Sequence, residues 1–175
     1  MRTMLTDKVY LVGFMGAGKT TLATALGDRL NWRVEDSDRL VERNECMSVA
    51  DIFTEHGERH FRQAEHKVLT DLLPVRHLVV ATGGGTFVSP ENQALINLDG
   101  VSIWLDVSLE RIFERLPMDG RRPLASDRSN LKRLFHSRRS AYGRASMRLD
   151  ADHTSTSDLV EQVVSWLGAR PPSNG

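Results

Sequence analysis

Apolar residues along this chain fall into two alternating patterns, short unbroken runs and longer stretches with a helical period. "KVYLV" (8–12) is a β-branched and aromatic run closed by Gly13, and predicts a buried strand. "TTLATALGDRL" (20–30) follows, with Leu22, Ala25, Leu26 and Leu30 at helical spacing. "WRVEDSD" (32–38) predicts a second short strand that ends in acids, and a helix over 39–44 comes next. Residues 48–73 read as helix in two pieces, with His56-Gly57 as the break. "HLVVA" (77–81), running into "TGGG", and "VSIWLDV" (101–107) are further strands. "SLERIFERL" (108–116) is helical through Leu109, Ile112, Phe113 and Leu116. Residues 117–130 mix turn formers and arginines without apolar periodicity and predict a mobile loop. Helix returns over 131–147, "RLDAD" (148–152) is a last strand, 157–169 is a closing amphipathic helix, and 170–175 are expected to fray.

Strands alternating with helices predict an α/β fold with a mostly parallel sheet covered on both faces. Ligands in such sheets bind beyond the carboxyl ends of the strands, and a glycine loop, an Asp pair and the GGG all fall there. At 175 residues the chain suits one domain. Lys+Arg balances Asp+Glu, 23 against 23, so any anion binding must come from local clusters rather than from an overall field. Cys46, the one cysteine, cannot form an internal disulfide and is expected to be a partly buried thiol in a reducing compartment. No apolar run approaches the roughly 20 residues of a membrane span, and no signal-type segment opens the chain, so a cytoplasmic protein without membrane contact is expected. Trp32, Trp104 and Trp166 are expected in the core, and the histidines, including His56, His60 and His66, at the surface without a metal pattern.

Gly13-Phe14-Met15-Gly16-Ala17-Gly18-Lys19-Thr20 fits G-x-x-x-x-G-K-[ST] between a strand and a helix. Its backbone N–H groups and the helix N-terminus make an anion cradle, Lys19 reaches the β- and γ-phosphates, and the Thr20 hydroxyl can hold Mg²⁺. Strand 77–81 ends in Thr82-Gly83-Gly84-Gly85, so the best-placed acids are Asp36 and Asp38. In an extended strand residues two apart point to the same side, which would aim both carboxylates at one cleft, one toward Mg²⁺ and one toward an acceptor hydroxyl. The competing reading is that one of them only caps the next helix. Gly83–Gly85 offer bare backbone to a small polar substrate. Arg62 and Glu65 stand at i, i+3, close enough for Glu65 to hold the guanidinium against a carboxylate.

This set resembles the shikimate kinase family: the P-loop, D-S-D on the second strand, F-R-Q-A-E, A-T-G-G-G, R-P-L in a lid and a further R-x-x-x-Y, in order from about residue 9 to 155. The resemblance implies a three-layer nucleoside-monophosphate-kinase-like fold, a central five-stranded sheet with a substrate-binding segment at about 36–66 and a lid at about 117–130. It implies ATP and Mg²⁺ as cofactors, with Gly13, Met15, Gly16, Ala17, Gly18, Lys19, Thr20 and Thr21 around the nucleotide. Thr20 and Asp36 serve the metal, Arg115 lies near adenine and the lid Arg122 closes over the phosphates. Asp38 is the implied general base, Arg62 and Arg138 the carboxylate ligands, Gly83, Gly84 and Gly85 the pocket lining, and Phe53 and Phe61 its aromatic wall. The implied reaction phosphorylates the 3-hydroxyl of shikimate.

Arg138-Arg139-Ser140-Ala141-Tyr142 departs from the usual R-x-P-L-Y by losing the proline, and Arg138 is preferred over Arg139 as the ligand. Ala125 also replaces a usual leucine. A kinase of another small acid such as gluconate, or of a nucleoside monophosphate, stays open, as does a nucleotide-binding switch, although no N-K-x-D segment for guanine is present. The basic stretch 137–148 is not read as a nucleic-acid patch, and a monomer is expected.

Overall fold

The computed structural model describes residues 6–115 and 128–169. Five strands, β1 (Lys8–Val12), β2 (Arg33–Asp36), β3 (Leu78–Ala81), β4 (Val101–Asp106) and β5 (Met147–Asp150), form one sheet in the order β2-β3-β1-β4-β5. All four pairings are parallel. Every residue of β1, β3 and β4 is buried, which is why those runs are mainly apolar; their polar members Lys8, Ser102 and Asp106 are buried with hydrogen-bond partners. The edge strands read RVED and MRLD and are only partly covered, so their polar residues face water where an apolar edge would invite pairing.

Eight helices flank the sheet in the described residues: α1 (Lys19–Leu30), α2 (Ser37–Glu45), α3 (Val49–Glu55), α4 (Gly57–Asp71), α5 (Pro90–Asp99), α6 (Leu109–Arg115), α7 (Arg128–Tyr142) and α8 (Thr156–Ala169). This is the three-layer arrangement that the resemblance implies. α1 packs on α8 and over β2 and β3, while α4 packs on α2, α3 and α5. The expected break at His56-Gly57 separates α3 from α4, with Gly57 at φ 81.

Four readings need correction. Asp38 does not lie on an extended strand, because β2 stops at Asp36 and α2 starts at Ser37. Residues 86–99, to which the apolar pattern assigns nothing, form a 3-10 turn (Thr86–Val88) and α5; Ser89 caps α5, Pro90 stands in its first turn and Glu91 adds a charge there. α7 begins at Arg128 and ends at Tyr142, so it takes in part of the expected loop and stops before 147. Cys46 is exposed rather than partly buried, at the end of α2 in a left-handed conformation (φ 55). Trp104 is in the core and Trp32 and Trp166 pack partly buried against it. Among the histidines, His66 is half-buried and its Nδ1 lies 2.7 Å from Asn92 Oδ1.

A buried polar knot ties the amino-terminal end of β1 to two helix ends. Lys8 is wholly buried, and its Nζ donates to the carbonyls of Leu72 (2.9 Å) and Leu73 (3.1 Å), just past α4, and to Asp99 Oδ2 (2.6 Å). The cation thus satisfies carbonyls that a helix end leaves open. Tyr10 Oη donates to the same Asp99 oxygen at 2.5 Å, and burial, with the Asp99 charge adding, pushes its hydroxyl pKa well above the ordinary value. Truncating one member of a buried pair strands the other charge. Lys8→Ala should therefore lower the unfolding free energy by about 3 kcal/mol in urea titrations, and Lys8→Ala with an unchanged midpoint would refute the tie.

Candidate active site

The chain leaves β1 through Gly13 and turns into α1 by way of Gly16 (φ 77) and Gly18 (φ 99). These are left-handed conformations in which a side chain is strained, so glycine is required. Gly18 caps α1 without a side-chain hydrogen bond, leaving the first-turn N–H groups facing the site. Lys19 is buried, its Nζ donating to the carbonyls of Gly13 (2.7 Å) and Phe14 (2.8 Å), so the amine lies across the loop. Met15 is half-buried, Ala17 is buried, and Thr20 and Thr21 are exposed at the start of α1. Arg115, at the end of α6, donates to the carbonyl of Ala17 at 3.1 Å and so braces the loop from outside.

The two acids meet this loop by a route the strand reading missed. Asp36 caps α2, Oδ1 accepting from the N–H groups of Asp38 (3.0 Å) and Arg39 (3.3 Å). Its Oδ2 accepts from Thr20 Oγ1 at 2.8 Å. One carboxylate therefore both caps α2 and accepts from the phosphate loop's Thr20. The cap places Asp38 in the first turn of α2, and the neighbouring Ser37 Oγ accepts from Gly83 N at 3.0 Å, fastening α2 to the glycine bend.

Gly83 and Gly85 leave room for charged groups, and Gly84 stands in a tight place. A Cβ at Gly83 would stand 2.6 Å from Asp38 Oδ1 and one at Gly85 2.5 Å from Arg62 Nη1, while one at Gly84 would stand 3.2 Å from Met15 N and 3.3 Å from Arg138 Nη1. Glu65, 1% exposed, supports the cluster: Oε2 accepts from Arg62 Nη1 (2.9 Å) and Oε1 from Thr86 Oγ1 (2.5 Å). Burial acts to lower the pKa of Arg62, but Glu65 and Glu58 outweigh it and hold the guanidinium above its ordinary value. Arg138, buried on α7, is shifted down, first by burial and further by the charge of Arg62. Tyr142, one turn beyond Arg138, donates to the Gly84 carbonyl at 2.5 Å; burial pushes its hydroxyl up to about 12, against the pull of Arg138 and Arg62.

Phe53 and Phe61 close one wall with ring centroids 4.8 Å apart, and the Arg62 guanidinium lies 5.2 Å from the Phe61 ring. The neighbouring Arg139 points elsewhere, gripping Asp106 with both nitrogens at 2.7 and 3.1 Å. Arg138 is thus the one of the two that lines the cleft. The site has two compartments, about 340 Å³ beside the arginines and about 270 Å³ beside Lys19, which share Met15, Thr20, Asp36, Asp38, Gly83 and Gly84. Arg122 and most of the expected lid lie outside the described residues. The sequence reading missed Arg39, Glu42 and Val49 on the wall and Thr82 at the floor. Arg39 and Glu42 were accessible in principle, since both follow Asp38 closely on the same helix.

A model of the shikimate kinase family matches residues 15–168. A shikimate kinase of Sulfurihydrogenibium sp. is 39% identical over 163 residues, covering 93% of this chain and 98% of the relative. One from Persephonella marina is 38% identical, covering 91% and 98%. The solved structure of shikimate kinase from Acinetobacter baumannii in complex with shikimate superposes with a TM-score of 0.88 at 30% identity, over 94% of each chain. On the match over most of its length and the identity to these relatives, the chain belongs to the shikimate kinase family.

Proposed function

We propose that this chain transfers the γ-phosphoryl group of ATP to the 3-hydroxyl of shikimate, giving shikimate 3-phosphate. The observation that carries the reading is the convergence of Asp38, Arg62 and Arg138 on the glycine bend, in a compartment that opens onto the phosphate loop. Two guanidiniums, Arg62 and Arg138, line this compartment and offer planar donor forks suited to an acceptor with a carboxylate. Shikimate supplies that carboxylate and ring hydroxyls, and family membership supports the choice.

Phosphoryl transfer asks the protein for positioning and charge neutralisation. In this reading Arg62 and Arg138 bind the acceptor carboxylate, with Glu65 orienting Arg62. Gly83–Gly85 let the acceptor ring approach the backbone, and Phe53 and Phe61 bound its apolar face. Asp38 orients the acceptor hydroxyl and takes its proton as the P–O bond forms. Lys19 and the loop from Gly13 to Thr21 hold the phosphate tail, Arg115 lies beside the nucleotide base, and Arg122 stabilises charge on the transferred group.

The oxygen donors Thr20 Oγ1 and Asp36 Oδ2, 2.8 Å apart beside the loop, fit a hard divalent cation. Those two residues would hold Mg²⁺, which when bound neutralises phosphate charge. The enzyme is proposed to act as a cytoplasmic monomer, with no nucleic-acid or membrane partner; no helix in the described residues is long and apolar enough to cross a membrane.

ADP release from Mg-ATP should rise sharply over a slow background with shikimate, and not with quinate, gluconate or nucleoside monophosphates. No response to shikimate overturns the acceptor. Asp38→Asn should lower kcat by about 10²–10⁴-fold while ATP binding, read by calorimetry, is retained; near-normal turnover would remove the base role. Arg62→Ala should raise the shikimate KM by roughly 100-fold and change the ATP KM little, a split that steady-state kinetics reads directly.

A further inference from the structure

Arg138 and Arg139 are neighbours on α7, about 100° apart around the helix axis, and they face different parts of the molecule. Arg138 enters the acceptor compartment, whereas Arg139 reaches Asp106, the last residue of β4. Asp106 is 8% exposed, and its two oxygens accept from Nη1 and Nη2 of Arg139; Oδ2 also meets Arg148 Nη2 at 2.5 Å. The guanidinium carbons of Arg139 and Arg148 lie 4.9 and 5.2 Å from the centroid of the Trp104 ring, itself buried on β4. A planar fork on a carboxylate fixes direction as well as distance. β4 is wholly buried and paired on both sides, so the carboxylate is fixed to the rigid middle of the sheet.

We propose that Asp106 is a positioning residue for acceptor binding: its grip on Arg139 fixes the roll of α7 that turns Arg138 into the acceptor compartment. The proposal rests on the reading that Arg138 binds the acceptor carboxylate. A guanidinium about 8 Å from the helix axis moves about 3 Å when the helix rolls by about 20°, enough to lose a directed ion pair. α7 also meets the site through Phe135 against Phe14 of the phosphate loop at 5.3 Å and Tyr142 to the Gly84 carbonyl, and meets the sheet where the Tyr142 ring lies 6.0 Å from that of Trp104. A ring contact is non-directional and tolerates a roll, whereas the fork on Asp106 refers the direction of the helix to the sheet.

The test is a double-mutant cycle between Asp106→Asn and Arg138→Ala, with KM measured for shikimate and for ATP. Asp106→Asn should raise the shikimate KM about tenfold in the wild-type background, change the ATP KM less than about twofold, and add less than about twofold once Arg138 is alanine. A purely structural role would lower both affinities and act equally in both backgrounds, which would overturn the proposal, as would an unchanged shikimate KM. Should Asp106→Asn fail to fold, Arg139→Gln is read in the same cycle with the same expected outcome. If the wild type ignores shikimate but phosphorylates another acid of the panel, the assigned acceptor falls and the cycle is run with that acid. If Arg138→Ala leaves the acceptor KM unchanged, the anion role of Arg138 falls, and the positioning role with it.

Discussion

Three consecutive residues without side chains, Gly83–Gly85, set the geometry of everything around them. They follow β3 after Thr82; the space a Cβ would fill at Gly83 and Gly85 is taken by Asp38 and Arg62, and Arg138 lies close beside Gly84. Those side chains come from α2, α7 and α4, elements far apart in sequence. Charged groups this close repel or pair according to what is buried with them, and Glu65 is the counterweight that keeps Arg62 in place. The two guanidiniums, held apart by the bend, present the donor forks that an acid can meet.

The sheet order brings this bend to the nucleotide. β1 lies between β3 and β4, so the phosphate loop that follows β1 sits beside the glycines that follow β3, and the Asp36 cap that ends β2 completes the row. The three glycine, acid and lysine motifs are consequences of one parallel register rather than separate inventions. The opposite end of the sheet has its own charged knot at Lys8 and Asp99, which holds the ends of α4 and α5 and thereby the root of the helix that presents Arg62. Stability and binding are anchored at opposite poles of the same strands.

Much of this was legible in the chain itself. The three inner strands announce themselves through β-branched or apolar runs, the polar edge strands as short segments between helical patterns, and the phosphate loop through spacing alone. The Arg62–Glu65 pair was legible because helix geometry makes i, i+3 neighbours a local matter. What misled was polarity at a boundary: in "VEDSD" the acids continue the strand pattern, but the Asp36 carboxylate finds two backbone N–H groups and starts a helix. α5 was missed although Ser89-Pro90-Glu91 carries the start signal, because its weak apolar stripe gives no clear period. The partition of Arg138 and Arg139 between pocket and Asp106 could not be read locally, since Asp106 lies 33 residues away in sequence.

The position of Cys46 has a practical side. It is the chain's one cysteine, it is exposed, and it ends the nine-residue helix whose first turn carries Asp38. A thiol-reactive fluorophore therefore has one address on the native chain, at the far end of the helix whose Asp38, Arg39 and Glu42 line the acceptor compartment. Spectroscopy can follow that wall in solution without engineering a label site.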